Sequence, residues 1–218
     1  MKTDELIDRL VRDVTVVKPL RTPRTRTIVW LLWGAVYLVV VAVMMLTMMS
    51  PARVTVSPLY LLQQGAALVT GIAAARAAFA SVVPGTSTRV WVQAAGSAAV
   101  WIVSLLWQGI LDVHTSGTLG ASRETDWPCV ASIAIGALVL GGPLVWMLRR
   151  GAPLTPRTTA LLAGSAALSF ANIEACVTRP HAFAMTVLLW HGGTITLVVA
   201  LFAGMGRRWL RWPVMIPR

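Results

Sequence analysis

Acidic side chains are scarce in this 218-residue chain, where eight Asp and Glu stand against nineteen Lys and Arg and only 12% of residues are charged. So little charge, beside 56% apolar residues and a positive mean hydropathy, excludes both a soluble globular domain and a disordered one. Cysteine occurs only twice, at Cys129 and Cys176, with no CxxC spacing. There is no nucleotide-binding glycine loop, no HExxH and no GxSxG with partner residues, so the common redox, nucleotide, zinc and hydrolase chemistries are not signalled. The chain is not expected to be an enzyme, to use a small-molecule substrate or to bind nucleic acid directly. In a soluble protein the basic excess would point to nucleic acid; in a membrane protein it has a topological reason.

What is abundant is long apolar runs. Six are long enough to cross a bilayer as helices, at about 28–48, 59–83, 90–111, 128–148, 158–173 and 182–205. The fifth is the weakest, being short and rich in Ala, Gly and Ser. Alternating the connectors puts sixteen of the nineteen Lys and Arg on one side and leaves Arg53, Arg123 and Arg179 on the other. By the positive-inside rule both termini are cytoplasmic. The acids divide evenly, so the bias lies in the basic residues, where the rule places it. No small-x-small site follows the first run, which is therefore expected to stay uncleaved. The sequence predicts an all-α polytopic membrane protein, a bundle of six transmembrane helices preceded by a short cytoplasmic amphipathic helix. Residues 1–27 form a cytoplasmic segment, 28–205 the membrane domain and 206–218 a basic cytoplasmic tail.

Both thiols belong to one predicted hairpin, whose arms are joined by the basic turn LRRGAPLTPR. Cys129 lies about 20 residues before Arg149 and Cys176 a similar distance after Arg157, about one bilayer thickness on each arm. Both are expected at the same depth, on the face opposite the arginines, and short-turned arms pack as neighbours. In an oxidising compartment the pair can form a disulfide. Alternatively it binds a soft metal, with His181 or His114 completing the site. That ion is the one candidate cofactor, acting as a signal.

Thr3 to Val17 reads as a helix with Thr3 as N-cap and Asp4, Glu5 and Asp8 in its first turns. Leu6, Ile7, Leu10, Val11, Val14 and Val17 make a stripe at helical spacing. So short a helix needs a cover for its apolar face, either the bilayer surface and the bundle or a cytoplasmic protein. LRTPRTRT then reads as a stiff basic linker, and Trp30 and Trp33 as an interfacial aromatic belt. Arg76 is expected to snorkel. The Met44, Met45, Met48 and Met49 cluster most simply fills apolar space. Trp190 and His191 fall near mid-membrane, where a neutral, hydrogen-bonded histidine serves packing or couples a signal.

The opening MKTDELIDRL, the VVKPLRTP linker, WPC at Trp127–Cys129, LRRGAPLTP at Leu148–Pro156, Cys176, HAF at His181–Phe183 and WH at Trp190–His191 resemble the NrsF family of six-helix membrane anti-sigma factors. The turn and the cysteine placement are the most specific of these features. The resemblance implies that the N-terminal segment holds an extracytoplasmic-function sigma factor inactive and that the outward cysteines respond to metal or oxidative stress. Two rivals are a membrane thiol oxidoreductase, which would need an electron acceptor and usually more cysteines, and a small transporter, which would show inverted repeats and broken helices around a polar site.

Overall fold

The computed structural model of the protein describes residues 3–12, 20–48, 57–116, 127–178 and 192–210. These form seven helices and no strands: α1 (Thr3–Arg12), α2 (Pro23–Met48), α3 (Pro58–Ala80), α4 (Arg89–Ser116), α5 (Trp127–Arg149), α6 (Pro156–Thr178) and α7 (Gly192–Trp209). Four of them, α2, α4, α5 and α6, are long and apolar enough to cross a membrane. The other two expected spans correspond to α3, whose apolar run is interrupted by Gln63, Gln64 and Arg76, and α7, described from Gly192 onward.

Helix α6, the weakest span by sequence, is the centre of the bundle, with 83% of its apolar window buried inside the protein against 17% for α2. It packs on α3, α5 and α7. Its composition explains both facts. Ala160, Ala163, Ala166, Ala167, Ala171 and Ala175 are buried, and small residues let backbones approach closely where no hydrophobic force drives helices together in lipid. A helix that faces protein on every side does not need the bulky apolar residues that hydropathy detects.

Two phenylalanines seat their rings in slots between glycines. A Cβ at Gly71 of α3 would lie 2.8 Å from the Phe170 ring, and one at Gly34 of α2 would lie 3.2 Å from its other edge. Trp30 meets the same ring edge-on at 5.2 Å, a favoured aromatic geometry. Likewise Phe202 of α7 fits against Gly141 of α5 and Gly164 of α6, at 2.9 and 3.1 Å from their Cβ positions.

Helix boundaries differ from the sequence expectation in three places. α2 begins at Pro23, inside the stretch read as linker, because proline at a first helical position loses no hydrogen bond; the Thr22 hydroxyl accepts from the Thr25 N–H. α6 runs to Thr178 instead of ending at Ile173, which brings Glu174 and Cys176 into the helix. α1 is described over Thr3–Arg12, and residues 13–19, including Val14, lie outside the described residues.

Candidate functional site

Helix α2, which leads from the N-terminal segment into the bundle, is held by a stripe of four side chains. Arg26, Trp30, Trp33 and Tyr37 recur at i, i+4, i+7 and i+11, one face of a helix. Three of them donate to backbone carbonyls of α5: Trp30 Nε1 to Leu140 O at 2.9 Å, Trp33 Nε1 to Val139 O at 3.2 Å, and Arg26 Nη2 to Met147 O. The receiving carbonyls have a cause in the sequence. Pro143 lies inside α5 and has no N–H for the carbonyl four residues back, Val139. Met147 belongs to the last turn of α5, and the Gly151 N–H bonds to Leu148 O, 2.9 Å away. Trp30 is thus only 1% exposed and part of the core, where the sequence reading put it in an interfacial belt. An indole that hydrogen-bonds a backbone carbonyl of the neighbouring helix explains the difference.

The fourth side chain reaches α6. Tyr37 OH donates to Glu174 Oε2 at 3.2 Å, and this carboxyl is only 8% exposed. Two residues further on, Cys176 is half-buried and faces α3. The Gln64 and Asn172 side chains hydrogen-bond its sulfur, and Tyr60 OH donates to its backbone carbonyl at 3.4 Å. Among the described residues, the buried Oε1 of Gln64 has no hydrogen-bond partner. Beside them, Gln63 Nε2 donates to Gln108 Oε1 at 2.6 Å and to Ser104 O at 3.2 Å. One end of the bundle therefore holds a continuous polar patch that buried amides and a carboxyl would not occupy without such partners. The sequence reading missed Tyr37, Tyr60, Gln63, Gln64 and Asn172. A glutamate and two adjacent glutamines in apolar runs were the available signal.

Cys129 sits in the first turn of α5, with its side chain outside the described residues. The contacts of Gly136 with Ala171 and of Gly141 with Ala167 fix the antiparallel register of α5 and α6. Continued to the helix end, that register sets Cys129 level with Thr178, so the two cysteine positions differ in height by about 3 Å. Ala171 meets α5, whereas Cys176 is rotated about 140° from it, toward α3.

His114 is exposed near the end of α4, the same end of the bundle. His181, Trp190 and His191 lie outside the described residues, and no three His, Cys, Asp or Glu side chains gather among the described ones. In α1, Ile7 and Val11 are exposed, and the side chains of Leu6 and Leu10 lie outside the described residues. Arg76 is exposed on α3.

A helical bundle with four apolar helices of spanning length, carrying buried polar groups at one end, is compatible with a membrane protein. Residues 10–212 match the family described as negative regulator of sigma F, NrsF, and the chain belongs to that family. The family name assigns it negative regulation of a sigma factor. No curated protein and no solved structure matches the chain.

Proposed function

We propose that this protein is an inner-membrane anti-sigma factor that crosses the bilayer six times with both termini in the cytoplasm. In this reading residues 1–27 hold an extracytoplasmic-function sigma factor through Leu6, Ile7, Leu10, Val11 and Val14. Cys129 and Cys176, at the outer end, release it in response to oxidant or a soft metal. Family membership over residues 10–212 carries the reading. Exposed Ile7 and Val11 on a ten-residue helix support it, since an apolar face of that size is left for a partner to cover.

The two ends are connected by α2, about 39 Å long. Its Tyr37 is tied to Glu174, and Glu174 is half a turn from Cys176. Because Cys176 sits on the α3 side, joining it to Cys129, by a disulfide or on one metal ion, turns the outer end of α6 toward α5. That turn pulls Glu174 away from Tyr37 and loosens α2. The reduced state represses and the joined state releases. Each state is favoured only by the difference in free energy the thiols make between them.

Leu10→Asp tests the partner assignment. Truncating a central interface anchor often costs more than about 2 kcal/mol, roughly thirtyfold in affinity, so the variant should release sigma activity constitutively while accumulating normally in the membrane. Full repression by Leu10→Asp would remove α1 as the inhibitory element.

A further inference from the structure

The arginine-rich end of the bundle contains a cavity of about 600 Å³ between the segment that enters α2, α2 itself and the last turn of α5. Among the described residues, its lining includes Arg21, Arg26 and Arg150 and no acidic side chain. The Arg26 and Arg150 charges repel one another, and each is held in place by something other than an anion. Arg26 is buried, donates to Met147 O and lies 4.8 Å over the Phe79 ring. Arg150 stacks 3.8 Å over Trp146. A negative group placed in the cavity would be attracted by both.

The remaining wall is apolar and open to the outside of the bundle. Val29 and Trp146 line the cavity and are exposed, and below Val29 the outer face of α2 continues with exposed Leu32 and Val36. A charged cradle that opens onto a greasy strip at one end of an apolar bundle fits a molecule with a phosphate head and hydrocarbon tails. The strip is part of the exposed apolar surface of α2, so an acyl chain can lie along it while its head group sits between the arginines.

We propose that this cavity binds an anionic phospholipid, its phosphodiester between Arg21, Arg26 and Arg150 and an acyl chain along Val29, Leu32 and Val36. The bound head group touches Leu20 and Arg21, the residues through which the N-terminal segment joins α2, and so fixes the direction in which that segment leaves the membrane. The proposal does not depend on the identity of the partner of α1 or on the chemistry of the cysteines.

The test is native mass spectrometry of the full-length protein in detergent, titrated with phosphatidylglycerol or phosphatidylcholine of equal chain length, with sodium phosphate as a soluble competitor. Phosphatidylglycerol should bind at least about tenfold more tightly than phosphatidylcholine, since each basic contact near the head group is worth roughly fivefold and the cavity offers more than one. Arg21→Gln with Arg150→Gln should weaken it by roughly thirtyfold, while the lipid-free melting temperature stays put because Arg26, which caps α5, is kept. If the double variant fails to fold, Arg21→Gln alone, at an exposed position on the entering segment, should lose about fivefold. Equal binding of the two lipids, or wild-type binding by folded variants, overturns the proposal. Equal protection by sodium phosphate assigns the cavity to a soluble anion and overturns the lipid reading too.

Discussion

Replacing Tyr37 with phenylalanine removes one oxygen and exposes how α2 is tied to α6. The Tyr37 hydroxyl donates to Glu174 Oε2 at 3.2 Å. The same hydroxyl lies 2.8 Å from where a Cβ on Gly136 would sit, so α5 closes over it and leaves little room for water to replace the lost donor. A buried acceptor stripped of its donor costs about 1–3 kcal/mol, which shifts the folding equilibrium by roughly 5- to 150-fold. Glu174→Leu alone should also destabilise, because it leaves the hydroxyl without an acceptor. Tyr37→Phe with Glu174→Leu should lose much less than the two singles together, because replacing both partners by apolar groups can be close to neutral. The assay is unfolding of the purified protein from mild detergent into a denaturing one, followed by the fluorescence of its ten tryptophans, Trp30 and Trp33 of α2 among them. Singles and double form a cycle, and a favourable coupling of about 1–2 kcal/mol is expected for groups in contact. Additivity within about 0.5 kcal/mol would refute the tie between the two helices. If the proposed switch holds, Tyr37→Phe should also raise basal sigma activity in cells without oxidant.

Gly71→Ala should destabilise by about 1–3 kcal/mol through overpacking, as its Cβ meets the Phe170 ring at 2.8 Å; Phe170→Leu in the same chain should recover part of the loss in a thermal melt. Cys129→Ser, Cys176→Ser and the double variant should all keep repression and lose induction by an oxidant and by a thiophilic metal equally, measured with a sigma-dependent reporter. Normal induction in the double variant would exclude the thiols and turn attention to His191. Reporter fusions should find both termini and the Arg149–Arg157 turn in the cytoplasm and residues 112–127 outside, as the sixteen-to-three division of basic residues requires; a periplasmic terminus would defeat the scheme.

Sequence alone was enough for whatever follows from composition along one dimension. The all-helical class, the apolar runs and the turn between Arg149 and Pro156 were legible because helices of spanning length must be apolar and because basic residues gather at one set of connectors. Pro143 was equally visible, as was Glu174. Their consequences were not. A proline states that a carbonyl is left over, but only the packing shows that Trp33 takes it and that Trp30 and Arg26 reach carbonyls of the same helix. Its shortness and its Ala, Gly and Ser made α6 look the weakest span, because bulky apolar residues signal fitness for lipid and α6 is surrounded by protein. The same blindness hid Tyr37, Gln64 and Asn172, which are polar residues made tolerable by neighbours distant in sequence. Spacing put Cys129 and Cys176 at one height, since rise per residue is a property of every helix. Which way Cys176 points depends on how α6 is rotated between α3 and α5, and that rotation is set by Phe170 seated between Gly34 and Gly71.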